Sequence, residues 1–311
     1  MTRMSFASTI RARSALPLLS LALLVLLIFA LQPRAMTYRG LGLLLGFSAP
    51  VVLATLAQMF VMTVGDLDLS IGPFIGLVAC IVATLPATSP LLTAVALVAC
   101  VFAYMAVGAL ISWRRLPALV VTLGLSFVWF GIAIIVRPNP GGEAPEWVVN
   151  LINLQPPVAP IQLWIVGVVG LASYFFLQHS KQGLLLRAAG GGAVALQRAG
   201  WSVSRARVSA YGLAAALGVL AGLTLVGITT SADPDIATRY TLVSIAAVVL
   251  GGGEFSGGRV SVPGSIAGAY VMALADSLLA FMNVPADWQV AAQGLILLVV
   301  LALRAVLRSS P

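Results

Sequence analysis

Charge is what this sequence has least of: only 8% of its 311 residues are Asp, Glu, Lys or Arg. Soluble domains carry about 25%. A deficit of that size excludes an ordinary water-soluble enzyme, and 60% hydrophobic residues exclude a disordered chain. Histidine occurs once, at His179, and cysteine twice, at Cys80 and Cys100. Both cysteines lie inside apolar runs and read as small buried hydrophobes, not as a disulfide framework or a metal site. His179 lacks partners for catalysis, and the chain has no HExxH, no Ser/His/Asp set and no paired-carboxylate spacing. The phosphate loop GxxxxGK[ST] is missing as well, because GGGEFSGGR at 251–259 has no lysine. What is left is a chain suited to binding and movement rather than to breaking bonds.

Acid is scarcer than base, with 9 Asp and Glu against 17 Lys and Arg, for a net charge of +8. In a soluble protein that balance would suggest nucleic acid. Here the basic residues sit between long apolar segments, where they set membrane orientation instead.

Apolar length is what the chain does have, and its mean hydropathy is +1.07. A helix needs about 20 mainly apolar residues to cross the hydrocarbon core. Ten stretches reach or approach that: Leu16–Leu31, Leu41–Val64, Ile71–Leu85, Leu91–Trp113, Leu116–Val136, Ile161–His179, Val208–Ile228, Leu242–Gly251, Gly264–Phe281 and Trp288–Leu307. The third and eighth are short. The expected fold is an all-α polytopic membrane protein of about ten transmembrane helices, some short or broken. Arg3, Arg11 and Arg13 precede the first apolar run as in a signal peptide. No small-x-small cleavage pattern follows in ALQPRAM, so that run reads as an uncleaved span.

With the N-terminus in the cytoplasm, thirteen basic residues fall on inner connections and only Arg34, Arg39, Arg137 and Arg239 on outer ones. That bias predicts both termini inside. The acids Glu143, Glu146, Asp233, Asp235 and Asp287 lean to the outside. The organisation is then a tail at 1–15, one membrane domain over 16–307 and a tail at 308–311.

Two connections are long. The outer one, 137–160, contains PNPGGEAPEW and QPPVAP and so is not one regular helix. The inner one, 179–207, carries Gly190, Gly191 and Gly192, then AVALQRAGWSVSRAR. Ala193–Ala199, with Val194, Ala195, Gln197 and Arg198, forms about two helical turns that Gly200 ends. It is either a docking element for a soluble partner or a solvated basic loop.

Two breaks interrupt the apolar pattern. In TVGDLDLSIGP, Thr63–Pro73, the glycines Gly65 and Gly72 and the proline lower helix propensity beside Asp66 and Asp68. The carboxylates read as acceptors for the N–H groups that open the next helix, with Ser70 as its N-cap, near the cytoplasmic end. GGGEFSGGRVSVPG at 251–264 repeats the order glycine, acid, polar turn, glycine and proline through Gly251, Gly252, Glu254, Gly257 and Gly258, a weak internal echo. Arg259 is expected to meet Glu254 or a helix C-terminal carbonyl. Asp276 is the one acid deep in an expected span, where it serves either as a proton relay or as a packed, hydrogen-bonded group. Gln58 and Asp276 are the polar candidates for a pathway.

GDLDLSIG resembles the GGIDLSVG region of the permeases of ribose/xylose-type ABC sugar importers. Gly65, Asp68, Leu69, Ser70 and Gly72 match that motif, and Asp66 replaces its second glycine. LPALVVTLG at 116–124 is similar to the family's P-x-x-x-V-T-L-G. In the inner loop Gly183, Ala188, Gly190, Gly191, Ala195 and Gly200 match, while Gly192 stands for the usual asparagine and Gln197 for arginine. Gly251, Gly252, Gly257, Gly258, Ser261, Gly264 and Gly268 match a further glycine-rich segment.

The resemblance implies a membrane subunit in the bacterial inner membrane, paired with a second copy or a related permease and surrounded by lipid. It further implies an ABC ATPase on the cytoplasmic loops, with 190–200 as the coupling helix, and a periplasmic solute-binding protein outside. ATP and magnesium would belong to the ATPase, and this chain would hold no cofactor, no metal and no catalytic residue. A permease for branched-chain amino acids, or a proton-coupled transporter using Asp276, remains the alternative.

Overall fold

A serine or threonine side chain opens five of the twelve α-helices among the described residues, and glycine and proline separate many of them. Thr37, Ser89, Ser180, Ser202 and Ser261 each accept a hydrogen bond from the N–H three residues on, at Gly40, Leu92, Gly183, Arg205 and Gly264. The computed structural model describes residues 3–86, 89–255, 258–285, 288, 291 and 294–295. Its helices are α1 (Arg3–Leu31), α2 (Tyr38–Gly46), α3 (Ser48–Thr63), α4 (Ile71–Thr84), α5 (Pro90–Arg114), α6 (Ala118–Val136), α7 (Glu146–Ile152), α8 (Ile161–His179), α9 (Lys181–Arg198), α10 (Val203–Thr229), α11 (Tyr240–Leu250) and α12 (Val262–Phe281). No strand occurs among the described residues, only an isolated bridge between Gly141 and Ala232.

Six stretches are long and apolar enough to cross a membrane: Tyr38–Thr63, bent at Phe47 between α2 and α3, and α5, α6, α8, α10 and α12. Pro17–Leu31, α4 and α11 are shorter apolar helices. The expected span 288–307 lies almost wholly outside the described residues, and the tail 308–311 entirely so. The outer connection 137–160 holds only the short α7, as its prolines require.

All of α3 and nearly all of α4 are buried, so these two helices form the centre of the molecule. Small residues let neighbours approach them: Gly218 of α10 faces Phe74, and Gly222 faces Val78. The most hydrophobic windows of α5 and α6 are only 17% buried and present their side chains outward, as lipid-facing helices do.

The connections gather at two ends. At the upper end Arg137 meets Thr84, Glu143 N–H donates to the Ala83 carbonyl, Gly141 pairs with Ala232, and Tyr38 donates to Pro156. At the lower end the connections after α3 and α11 come together against α9, around Gly65, Gly190 and Gly258.

Candidate functional site

α4 and α11 are half-helices that begin deep in the molecule. At 1.5 Å per residue they are about 21 Å and about 16 Å long, so neither crosses a bilayer alone. Their first turns meet: the Gly72 N–H donates to Thr241 Oγ1 at 3.0 Å. α4 then runs to the upper end and α11 to the lower one. Together they make one discontinuous crossing with both positive helix ends near its centre.

An irregular segment leads into each half-helix, and its backbone must find partners away from water. The stretch 64–70 finds them on side chains of the surrounding spans. The Gln58 amide donates to the Asp68 carbonyl at 3.0 Å and accepts from the Asp68 N–H at 3.2 Å. Thr122 Oγ1 accepts from the Leu69 N–H at 3.1 Å and donates to the Ala118 carbonyl at 2.9 Å. Asp68 Oδ1 takes both the Ser70 N–H and the Ser70 hydroxyl at 2.7 Å. Tyr104 donates to the other Asp68 oxygen, and its own oxygen lies 3.0 Å from Ser70 Oγ. The Tyr104 ring is fixed by Phe74 at 4.7 Å and is stacked on Trp129 at 6.1 Å. Gln58, Asp68, Ser70 and Tyr104 have no exposed surface.

Three expectations are corrected here. Ser70 does not cap α4 with its side chain. Its hydroxyl is held by Asp68 and Tyr104, and the cap comes from Thr241 on another helix. Nor does the break stay at one end of the spans. Tyr104, the partner of Asp68, lies about 15 Å along α5 from Arg114. Asp66 is nearer the lower end, where Arg207 holds it bidentately, Nε to Oδ2 at 2.7 Å and Nη2 to Oδ1 at 3.0 Å. The glycine-rich connection 251–261 is not the counterpart of this break either. It joins α11 to α12 at the lower end, where the Glu254 N–H donates to the Arg259 carbonyl. The counterpart is 230–239, which leads into α11 and repeats the local turn, Asp233 Oδ1 accepting from the Asp235 N–H at 2.8 Å.

The lower junction brings together motifs that lie far apart in the chain. A Cβ on Gly190 would run into the Thr63 carbonyl oxygen and come within 2.8 Å of Gly258 Cα. Gly65 crosses beside Gly190 in the left-handed region at φ 83°. Gly251 and Gly264 pack backbone to backbone where α11 and α12 cross. Gly252 turns at φ 98°, and Gly257 lies outside the described residues.

The inner connection is more helical than its sequence suggested. α9 starts at Lys181, bends at Gly192 (φ 175°, ψ 80°) and ends before Gly200, whose φ is 81°. Beyond the bend, Leu196 is buried, while Val194, Ala195, Gln197 and Arg198 are exposed as one presented turn; Gly191, just before the bend, is exposed too. Asp276 lies on α12 at 23% exposure, with Arg239 Nη1 3.8 Å away. Tyr104, Thr122, Arg207, Arg239 and Thr241 escaped the reading of the sequence. Each is a polar residue in or beside an apolar run, and that placement could have flagged it; Thr122 also lies in the LPALVVTLG match at 116–124.

The model of the family described as "Branched-chain amino acid transport system / permease component" matches residues 40–301. The ribose import permease protein RbsC of Escherichia coli (strain K12) is 27% identical over 289 residues, 90% of this chain and 90% of its own. The autoinducer 2 import system permease protein LsrC of Salmonella typhi is 27% identical over 299 residues, 93% of this chain and 84% of its own. The fructose import permease protein FruG of Bifidobacterium longum (strain NCC 2705) is 28% identical over 307 residues, 92% and 89%. No solved structure matches.

Proposed function

We propose that this chain, which belongs to the family of branched-chain amino acid transport system permease components, imports a sugar or sugar-like solute. The chain is a multi-pass membrane permease, matched nearly end to end by import permeases. One observation carries the choice of solute: relatives named for ribose and fructose import each align over about nine-tenths of this chain. The discontinuous α4–α11 crossing supports movement of a polar solute, since unwound backbone at membrane depth is tolerated only where protein or a cavity surrounds it.

In this reading the chain sits in the bacterial inner membrane with about ten crossings and both termini in the cytoplasm. The lower end is cytoplasmic, and the exposed turn of α9 after Gly192 is the surface on which an ATPase docks. A periplasmic binding protein delivers the solute to the upper end, and a second permease copy completes the path. ATP and its magnesium bind the ATPase, not this chain.

Reconstitution in liposomes with the partner ATPase and binding protein tests the proposal. Uptake of ribose or fructose is expected to need ATP and both partners. Uptake by this chain alone, abolished by an uncoupler, would sink it in favour of a proton-coupled transporter. Uptake of leucine in place of sugar would move the chain to the branched-chain amino acid class.

A further inference from the structure

The connection from α10 to α11 dives into the molecule rather than running over its surface. It leaves the upper end at Thr230 and Ala232, which bond to Ala144 and Gly141. The chain then descends beside α4. The Pro234 carbonyl comes against Gly76, and the Ala237 and Thr238 carbonyls come against Gly72, where a Cβ would clash. Arg239 follows at that level. Counted along α4 to Thr84 and along α11 to Gly251, it stands about 18 Å from either end. In a hydrocarbon core about 30 Å thick that is near the centre.

Arg239 is nonetheless 64% exposed. Thr238 before it and Leu242 after it are exposed too. Its acidic partner Asp276 is 3.8 Å away, a loose pair that leaves most of the guanidinium uncovered. A charge bared to lipid tails at this depth is strongly disfavoured, and both headgroup layers are too distant for the side chain to snorkel. A cation at the first turn of a helix is also opposed by the helix dipole, and the start of α4 adds a second positive helix end. This combination calls for electron-rich oxygen and for water.

We propose that Arg239, Asp276 and Thr238 line a water-filled passage at mid-depth and hold a polyhydroxylated solute in transit. This rests on the sugar import proposed above. The guanidinium donates to hydroxyl oxygens, and the carboxylate accepts from hydroxyl hydrogens. The passage runs along the joint between the two half-helices, so any shift of α11 against α4 reshapes it.

The test uses the full chain in membrane vesicles with its ATPase and binding protein. Thr238→Cys is made on a background of Cys80→Ala and Cys100→Ala. Two water-soluble thiol reagents serve as probes, anionic sulfonatoethyl methanethiosulfonate and its cationic trimethylammonioethyl counterpart. Thr238→Cys is expected to react, with the anionic probe favoured by about threefold and the preference lost in Arg239→Gln. Phe127→Cys, exposed on α6 about 14 Å from its start, is expected to stay unreactive in lipid. No reaction at Thr238→Cys with either probe overturns the passage, whether lipid or a second copy covers that face.

Uptake gives an independent readout. Arg239→Gln and Asp276→Asn are each expected to slow ribose or fructose uptake about tenfold while binding-protein-stimulated ATP hydrolysis persists. Normal uptake in both variants overturns the solute contact. A wild-type complex that imports neither sugar, while Thr238→Cys still reacts, removes the polyhydroxylated ligand together with the function above and leaves the passage standing.

Discussion

A single methyl group separates two neighbouring glycines in their expected tolerance. At Gly190 the added carbon meets backbone of two other segments, the Thr63 carbonyl and Gly258 Cα, which cannot rotate out of the way. At Gly192 it meets only the Ala195 Cβ at 3.7 Å, an ordinary contact. Gly190→Ala is therefore expected to cut the yield of folded, detergent-extracted protein several-fold, and Gly192→Ala to leave it near normal. Size-exclusion profiles of the two variants check this. Asp66 is the second residue whose context decides the outcome. Its carboxylate is 7% exposed and pairs bidentately with Arg207 at 21% exposure. Asp66→Asn leaves the guanidinium half-buried without a counter-charge, at a cost on the order of 3 kcal/mol. A lower melting temperature in detergent is expected, partly restored when Arg207→Gln is added. Equal melting of wild type and Asp66→Asn would mean that the pair is solvated.

Helices were legible in the sequence wherever the signals were local. α8 runs from Ile161 to His179 as the apolar pattern required. The start of α4 was also placed at the right residue, and Asp68 accepts the Ser70 N–H as expected, but the Ser70 hydroxyl does not cap the helix. Its cap is Thr241, far along the chain, and no local pattern reports a partner on another helix. The same holds for Gln58, whose amide serves the backbone of Asp68, and for Arg239, which by its sequence position belonged to an outer loop. Non-local hydrogen bonds decide these sites, and periodicity is blind to them. The break in α9 is a case in between: its glycines mark it, yet the helix before them was invisible in a basic, mixed sequence. The turn beyond the bend is anchored by buried Leu196 and presents Val194, Ala195, Gln197 and Arg198. Ala195→Glu puts a charge on that presented face without touching the core. Insertion in the membrane and stability should be unchanged, while uptake stops and ATP hydrolysis no longer responds to the solute-loaded binding protein. Normal uptake would identify the turn as a solvated loop.

Across the whole molecule, charge is sorted by end. The lower end carries Arg114, Arg115, Lys181, Arg187, Arg198, Arg205, Arg207 and Arg259, and the upper end Arg34, Arg39 and Arg137. Arg239 drops out of the upper set because its connection descends to mid-depth, so among these residues the asymmetry sharpens from eight against four to eight against three. Basic connections stay on the cytoplasmic side during insertion, so the lower end is expected to face inward. A labelling experiment reads this directly on a background lacking Cys80 and Cys100. Gly142 is a poor position for the outer probe, since its φ is 83° and a side chain would meet the Ala83 carbonyl. Glu143 beside it is exposed, as is Gln197 on α9. In spheroplasts an impermeant maleimide is expected to label Glu143→Cys at once and Gln197→Cys only after the membrane is opened. Labelling of Gln197→Cys in intact spheroplasts would invert the molecule. The turn proposed to dock the ATPase would then face away from ATP, and α9 would have to be assigned to the binding protein instead.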